Sequence, residues 1–240
     1  GRNAVIEALK GDRTIENILV AKGDMTGSIS KIMAIAREKN IVIKEVDRKK
    51  LDSMSATGVH QGVMAIVTPY KYYSIDDILD YADKKGEKPF IVILDEIEDP
   101  HNLGSIIRTA ETCGVHGIII PKRRNVGITP TVYKTSAGAI EYMRVAKVGN
   151  VNKAIDMIKE RGVWVYGADM DGEAYCYQTD FSGAVALVIG SEGRGISKLT
   201  KEKCDGLVKI PMVGNITSLN ASVAAGIMMY EVLKQKNGIS

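Results

Sequence analysis

The chain has little of the chemistry on which metal and disulfide proteins depend. Its 240 residues include three cysteines and three histidines. Cys113, Cys176 and Cys204 stand far apart with no CxxC, and His60, His101 and His116 form no HExxH pair. Zinc sites need clustered thiolates or imidazoles, and disulfide frameworks show an even, dense cysteine count. Metal catalysis is therefore not expected, and the thiols read as small buried side chains. Long apolar runs are missing too: Phe90–Leu94 and Ala184–Ile189 fall far short of the roughly 20 residues that span a bilayer. No basic-then-apolar leader is visible, so the expected compartment is the cytoplasm. Strong charge of either sign is absent, the net being +3.

What remains is the profile of an ordinary globular chain, 45% apolar and 25% charged, long enough for one large core or two modest ones. The excess charge all lies in residues 1–68, which carry 11 Lys and Arg against 8 Asp and Glu. Arg48, Lys49 and Lys50 form a run there, with Lys10 and Arg13 elsewhere. A local basic surface can hold phosphate without a strongly basic whole, although a solvated helix start accounts for the run equally well.

Hydrophobic periodicity divides the chain. In residues 1–68 it predicts helices at Asn3–Lys10 and Ser28–Lys39, with Ile29, Ile32, Met33, Ile35 and Ala36 as the second helix's apolar stripe. Strands are expected at Ile15–Ala21, Ile41–Val46 and Gly62–Thr68. Residues 69–74 interrupt the pattern as a linker whose Tyr70, Tyr72 and Tyr73 pack on a domain surface. Residues 75–240 form a larger α/β domain. Its strands are expected at Phe90–Leu94, Gly117–Ile120, Met143–Val148, Val163–Gly167, Ala184–Ile189 and Gly206–Ile210, and its last helix at Asn220–Lys236. Short apolar strands separated by helices imply a mostly parallel sheet covered on both faces. Such sheets bind ligands beyond the carboxyl ends of their strands, which directs attention to the loops after Leu94, Ile189 and Ile210.

The first loop, residues 95–110, offers Asn102 as an N-cap for the following helix and Arg108 on a polar face two turns later. Arg108 can reach across the strand ends or pair with the acidic residues before it. The second loop carries Gly190, Gly193 and Gly195 around Glu192 and Arg194. This GxxGxG order is neither the dinucleotide GxGxxG nor a phosphate loop with GK[ST], so NAD and ATP are not indicated. In the third, Ser218 and Asn220 stand where a helix begins, and either can cap it. Met212, Met228 and Met229 read as core.

Together these loops resemble the three signature motifs of the SpoU (TrmH) family of RNA ribose 2′-O-methyltransferases. Asn102, Gly104 and Arg108 match the first motif, and residues 189–195 the second. Ile210-Pro211-Met212 with Ser218-Leu219-Asn220-Ala221-Ser222 matches the third. Gly1-Arg2-Asn3-Ala4-Val5 and Val59-His60-Gln61-Gly62-Val63 match the ends of a small substrate-binding domain. The two-domain arrangement resembles the RlmB branch, which modifies a guanosine of large-subunit (23S) ribosomal RNA.

The resemblance implies a trefoil knot in the C-terminal domain, a homodimer, and methyl transfer from S-adenosylmethionine to a ribose 2′-hydroxyl. It further implies backbone contacts to the cofactor from Gly190, Ile210 and Leu219. Asn102, Ser218 and Asn220 would position ribose and phosphate, Glu192 would support the pocket, and Arg108 would be the catalytic arginine. A guanidinium keeps its proton at any ordinary pH, so Arg108 is expected to hold phosphate and stabilise the developing alkoxide rather than act as a base. A transfer-RNA or other ribosomal-RNA methyltransferase of the same family and a non-catalytic RNA-binding paralogue are the competing readings.

Overall fold

The structure is a computed structural model that describes residues 1–11, 15–24, 27–55, 58–67, 70–216 and 218–238. Arg13, Thr68, Pro69 and Thr217 lie outside the described residues. The chain forms two compact units, Gly1–Lys71 with Ile128–Tyr142, and Tyr72–Gly127 with Met143–Ser240.

In the first unit, α1 (Arg2–Lys10), β1 (Ile15–Ala21), α2 (Ser28–Glu38), β2 (Ile43–Val46), α3 (Arg48–Met54) and β3 (Val63–Val67) surround a three-stranded sheet. β1 lies at its centre, parallel to β2 and antiparallel to β3. Leu9, Ile18, Val20, Ile29, Ile32, Ala36 and Val63 fill the core between that sheet and the α1–α2 pair. Arg48, Lys49 and Lys50 form the first turn of α3 and are exposed. Three cations at a helix N-terminus work against the helix dipole, so fold stability does not account for them.

The second unit begins with α4 (Ile75–Lys85), whose ends are fully specified by its sequence. Ser74 and Asp77 form a reciprocal capping box, acids fill the first turn and lysines the last, and Gly86 closes the helix in the left-handed region. There follow β4 (Phe90–Asp95), α5 (Pro100–Thr112), β5 (Gly117–Pro121) and α6 (Pro130–Thr135), the last belonging to the first unit. Next come β6 (Val145–Val148), α7 (Val151–Glu160), β7 (Trp164–Ala168), β8 (Ala174–Tyr175), β9 (Val185–Gly190), α8 (Lys198–Lys203), β10 (Gly206–Lys209) and α9 (Ala221–Lys236).

Every pairing in the seven-stranded sheet is parallel, in the order β6-β5-β4-β9-β7-β10-β8. All six β4 residues and the first five of β9 are buried, which explains their unbroken apolar character. Tyr72 and Tyr73 pack against the larger unit. Tyr73 bridges to Ala146 of β6, and the cations of Arg144 and Lys147 lie over the rings of Tyr73 and Tyr72.

Two segments differ from the sequence reading. Residues 128–142, assigned there to the larger domain, pack within the first unit, where the Tyr142 hydroxyl donates to Glu7 Oε2 at 2.6 Å. Met212 is exposed on a loop and is not core, whereas Met228 and Met229 are fully buried. Among the described residues no helix is long and apolar enough to cross a membrane.

His116 ties the amino end of β4 in place. Its ring is 3% exposed, Nδ1 accepts the Phe90 N–H at 2.9 Å, and Nε2 faces Glu87 Oε2 at 2.9 Å. Burial lowers its pKa below the ordinary histidine value, despite the opposing pull of Glu87. Protonation would remove the acceptor used by Phe90. The unfolded chain binds this proton more readily, so the contribution is complete above about pH 6.5 and is lost as pH falls below it. Thermal melts should show the wild type losing stability from pH 7 to 5 more steeply than His116→Gln.

Candidate active site

The strand order reverses between β4 and β9, so the chain leaves their carboxyl ends in opposite directions and opens a crevice there. The register sets Asp95 beside Gly190, and the buried Asp95 carboxylate accepts the Ser197 N–H at 2.9 Å. That bond ties the end of β4 to the loop after β9. Gly190 is required by close approach, because a Cβ there would run into the backbone of Gly195 and Ile196. The loop closes on itself through Gly195 N–H to Ser191 O at 2.9 Å, with Gly195 at φ +64°. Glu96, directly after β4, is also left-handed at φ 64° and pairs with Arg124 at 3.1 Å and Arg194 at 3.5 Å.

Asn102 is not the cap of α5. The helix starts earlier, at Pro100, and Asp99 caps it by accepting the His101 N–H at 2.8 Å. Proline suits the first helical position because the missing N–H has no partner there anyway. Asn102 therefore sits in the first turn, buried, with its side chain free for a distant contact. Its Nδ2 donates to Glu192 Oε1 at 3.0 Å, and its Oδ1 accepts from Asn220 Nδ2 at 3.0 Å. Asn220 Nδ2 also donates to Glu192 Oε1, which accepts the Ala221 N–H at 3.3 Å. Asn220 caps α9 as anticipated, its Oδ1 accepting from Ser222 N–H at 3.0 Å and Val223 N–H at 3.3 Å. One carboxylate and two amides thus join all three loops at a helix N-terminus, where negative charge is favoured.

Beside this network lies a cavity of about 480 Å³, within the range of small-molecule sites. Gly190, Glu192, Ile210, Ser218 and Leu219 line it. A second hollow of about 260 Å³ shares residues 191–194 and includes Asn102. Arg108 lines neither. It is exposed on α5 and makes no ion pair among the described residues. Sequence reasoning overlooked Asp169 and Lys201, which form a 2.6 Å ion pair on the wall of the larger cavity. Asp169 follows β7 directly, so the strand-end rule, applied to every strand, identifies it.

Burial pushes the Cys113 thiol up to about 11 and Cys204 up to about 12, and raises Cys176 as well. None of the three is a ready thiolate nucleophile. Among the described residues no group of three or more His, Cys, Asp or Glu is arranged to hold a metal ion.

Residues 89–230 match the SpoU rRNA Methylase family, and residues 1–73 match the RNA 2′-O ribose methyltransferase substrate-binding family. The chain belongs to the SpoU methylase family. It is 52% identical to YacO of Bacillus subtilis (strain 168), a protein assigned to the TrmH family of tRNA/rRNA methyltransferases, over 100% of this chain and 96% of that one. An AdoMet-bound rRNA methyltransferase from Sinorhizobium meliloti superposes with a TM-score of 0.81 at 26% identity, covering 97% of this chain and 84% of that one. The SpoU methyltransferase AviRb from Streptomyces viridochromogenes shares the fold, with a TM-score of 0.85 at 24% identity over 99% and 88% of the two chains. Family membership makes this chain an S-adenosylmethionine-dependent RNA 2′-O-methyltransferase. The cavity suits that cofactor, with apolar Ile189, Val208, Ile210 and Leu219 available to a flat base and Asp169, Glu192 and Lys201 to its polar parts.

Asn220 combines two tasks that substitution can separate. Asn220→Ser keeps a capping oxygen but removes the amide donors to Glu192 and Asn102. Its melting temperature should stay near wild type while methyl transfer falls about tenfold or more. Asn220→Ala should lose the cap as well, costing about 1 kcal/mol in denaturant unfolding.

Proposed function

We propose that this protein methylates the ribose 2′-hydroxyl of a guanosine in large-subunit (23S) ribosomal RNA, in the cytoplasm and as a homodimer. In this reading residues 1–68 dock RNA and residues 75–240 carry the chemistry, with the C-terminal segment threaded as the family's trefoil knot. The observation that carries it is the joining of Asn102, Glu192 and Asn220 at the rim of the 480 Å³ cavity. The small substrate-binding unit, with Arg48, Lys49 and Lys50 exposed against the helix dipole, supports an RNA substrate. Such contacts hold phosphate and orient the chain without reading sequence.

S-adenosylmethionine supplies an electrophilic methyl group on a sulfonium. The backbone at Gly190, Ile210 and Leu219 holds the cofactor, and Ser218 with the Asn102–Asn220 pair positions the target ribose. Glu192 fixes both amides and keeps the three loops in register. Arg108, permanently charged, holds the adjoining phosphate and stabilises negative charge developing on the 2′-oxygen.

Its exposure, outside its own chain's cavity, agrees with a dimer. α5 and α9 lie against each other, with Gly226 facing Thr109, and α9 also presents Val223, Ile227 and Tyr230 outward. Tyr230 is 53% exposed and Val223 49%. Their spacing of four and three residues forms one apolar stripe, which a second copy would cover, placing Arg108 at the interface.

Labelled methyl transfer to protein-free ribosomal RNA, assembled subunits and bulk transfer RNA tests the proposal. Label should map to one guanosine ribose of large-subunit RNA; label in transfer RNA alone would overturn the target and keep the chemistry. Arg108→Ala should lower the rate about 10²–10³-fold, with Arg108→Lys recovering only part, because lysine lacks the planar fork. Ile227→Asp should shift sedimentation from dimer to monomer and abolish transfer.

A further inference from the structure

The Asp169–Lys201 pair has no place in the three motif loops, yet it forms part of the cofactor cavity wall. The Asp169 side chain is 5% exposed and that of Lys201 29%. Its backbone is fixed on both sides: Asp169 N–H donates to Val208 O at 2.9 Å, and its carbonyl accepts the Gly172 N–H at 3.1 Å. Oδ1 accepts the Asp171 N–H at 3.1 Å, and Oδ2 takes Lys201 Nζ and lies across from Gly195 of the glycine loop. The carboxylate is therefore held in one position, facing the loop that closes the cavity. Burying an ion pair costs desolvation that well-packed apolar residues would avoid, so stability alone does not explain it.

We propose that Asp169, fixed by the Asp171 N–H and its own backbone bonds, accepts hydrogen bonds from the ribose hydroxyls of S-adenosylmethionine, with Lys201 balancing its charge. The proposal rests on the reading of this cavity as the cofactor site. A carboxylate only accepts, so it needs donors from its ligand. The cofactor's ammonium and sulfonium are cationic and would meet the Lys201 charge at the same carboxylate. Its own carboxylate would be repelled by Asp169. The ribose diol presents two neutral donors on adjacent carbons, which the two oxygens of one carboxylate can accept together, and a pair already neutral within the protein suits it. Free lone pairs on Oδ1 and Oδ2 are sufficient for both hydroxyls.

Calorimetry with S-adenosylhomocysteine, its 2′-deoxy and 3′-deoxy ribose analogues, and an analogue lacking the amino group tests the assignment. In the wild type each lost hydroxyl should weaken binding about tenfold. In Asp169→Ala that penalty should fall below about twofold, while the penalty for the missing amino group stays as in the wild type. Lys201→Met keeps the carboxylate and should retain the hydroxyl penalty, which serves if Asp169→Ala melts too early to measure. An undiminished hydroxyl penalty in Asp169→Ala, or its loss in Lys201→Met, would overturn the proposal. A wild type that binds the nucleoside without any hydroxyl penalty would overturn it as well. If the folded wild type binds no S-adenosylhomocysteine, the cofactor reading of the cavity fails, and this assignment fails with it.

Discussion

The parallel pairing of β4 with β9 is the constraint on which the site depends. Their register runs from Phe90 beside Val185 to Asp95 beside Gly190. Both strands are buried, so they hold almost no polar side chains along their length and deliver polar atoms only at their ends. Because neighbouring connections diverge there, the two loops bound an open crevice instead of covering it. A one-residue slip would turn every side chain of one strand to the opposite face and separate Asp95 from Ser197.

Upon that frame, a small number of charged and amide groups keep three loops together. Glu192 gathers Asn102, Asn220 and the first backbone donor of α9, which makes the helix terminus and the loop after β9 a single unit. The fit has local costs. Glu96 occupies the left-handed region, a conformation that non-glycine residues adopt at some strain, while its carboxylate pairs with Arg124 and Arg194. At Gly190 a side chain would fill the space of the backbone itself, and Gly195 supplies the left-handed conformation that closes the turn.

α9 expresses two demands in one sequence. Ala221, Ala225, Met228, Met229 and Val232 are buried within the chain, while Val223, Ile227 and Tyr230 keep the opposite face apolar. A helix that served only one core would carry charge on that outer face. The same helix begins at Asn220, so its packing also fixes the hydrogen-bond network that joins the three loops.

Much of this was legible in the residues. The fully buried strands, the parallel sheet and the three loops follow from period, composition and glycine placement, which act over a few residues. Motif order pointed to the family. Asn102 was misplaced as a cap because an asparagine before an apolar helix is locally plausible, whereas Asp99 and Pro100 begin the helix sooner. Residues 128–142 lie among the larger unit's elements in sequence and pack in the smaller one, a choice made by contacts with Glu7 and not by local pattern. The sequence by itself determined which segments are strand, helix and glycine loop. Tertiary structure alone decided that Glu192 meets two asparagines from distant loops, that Asp169 pairs with Lys201, and that Arg108 stands outside its own chain's cavity. The reason is that strand order brings those groups together, and strand order is set by packing across the whole sheet rather than by any local period.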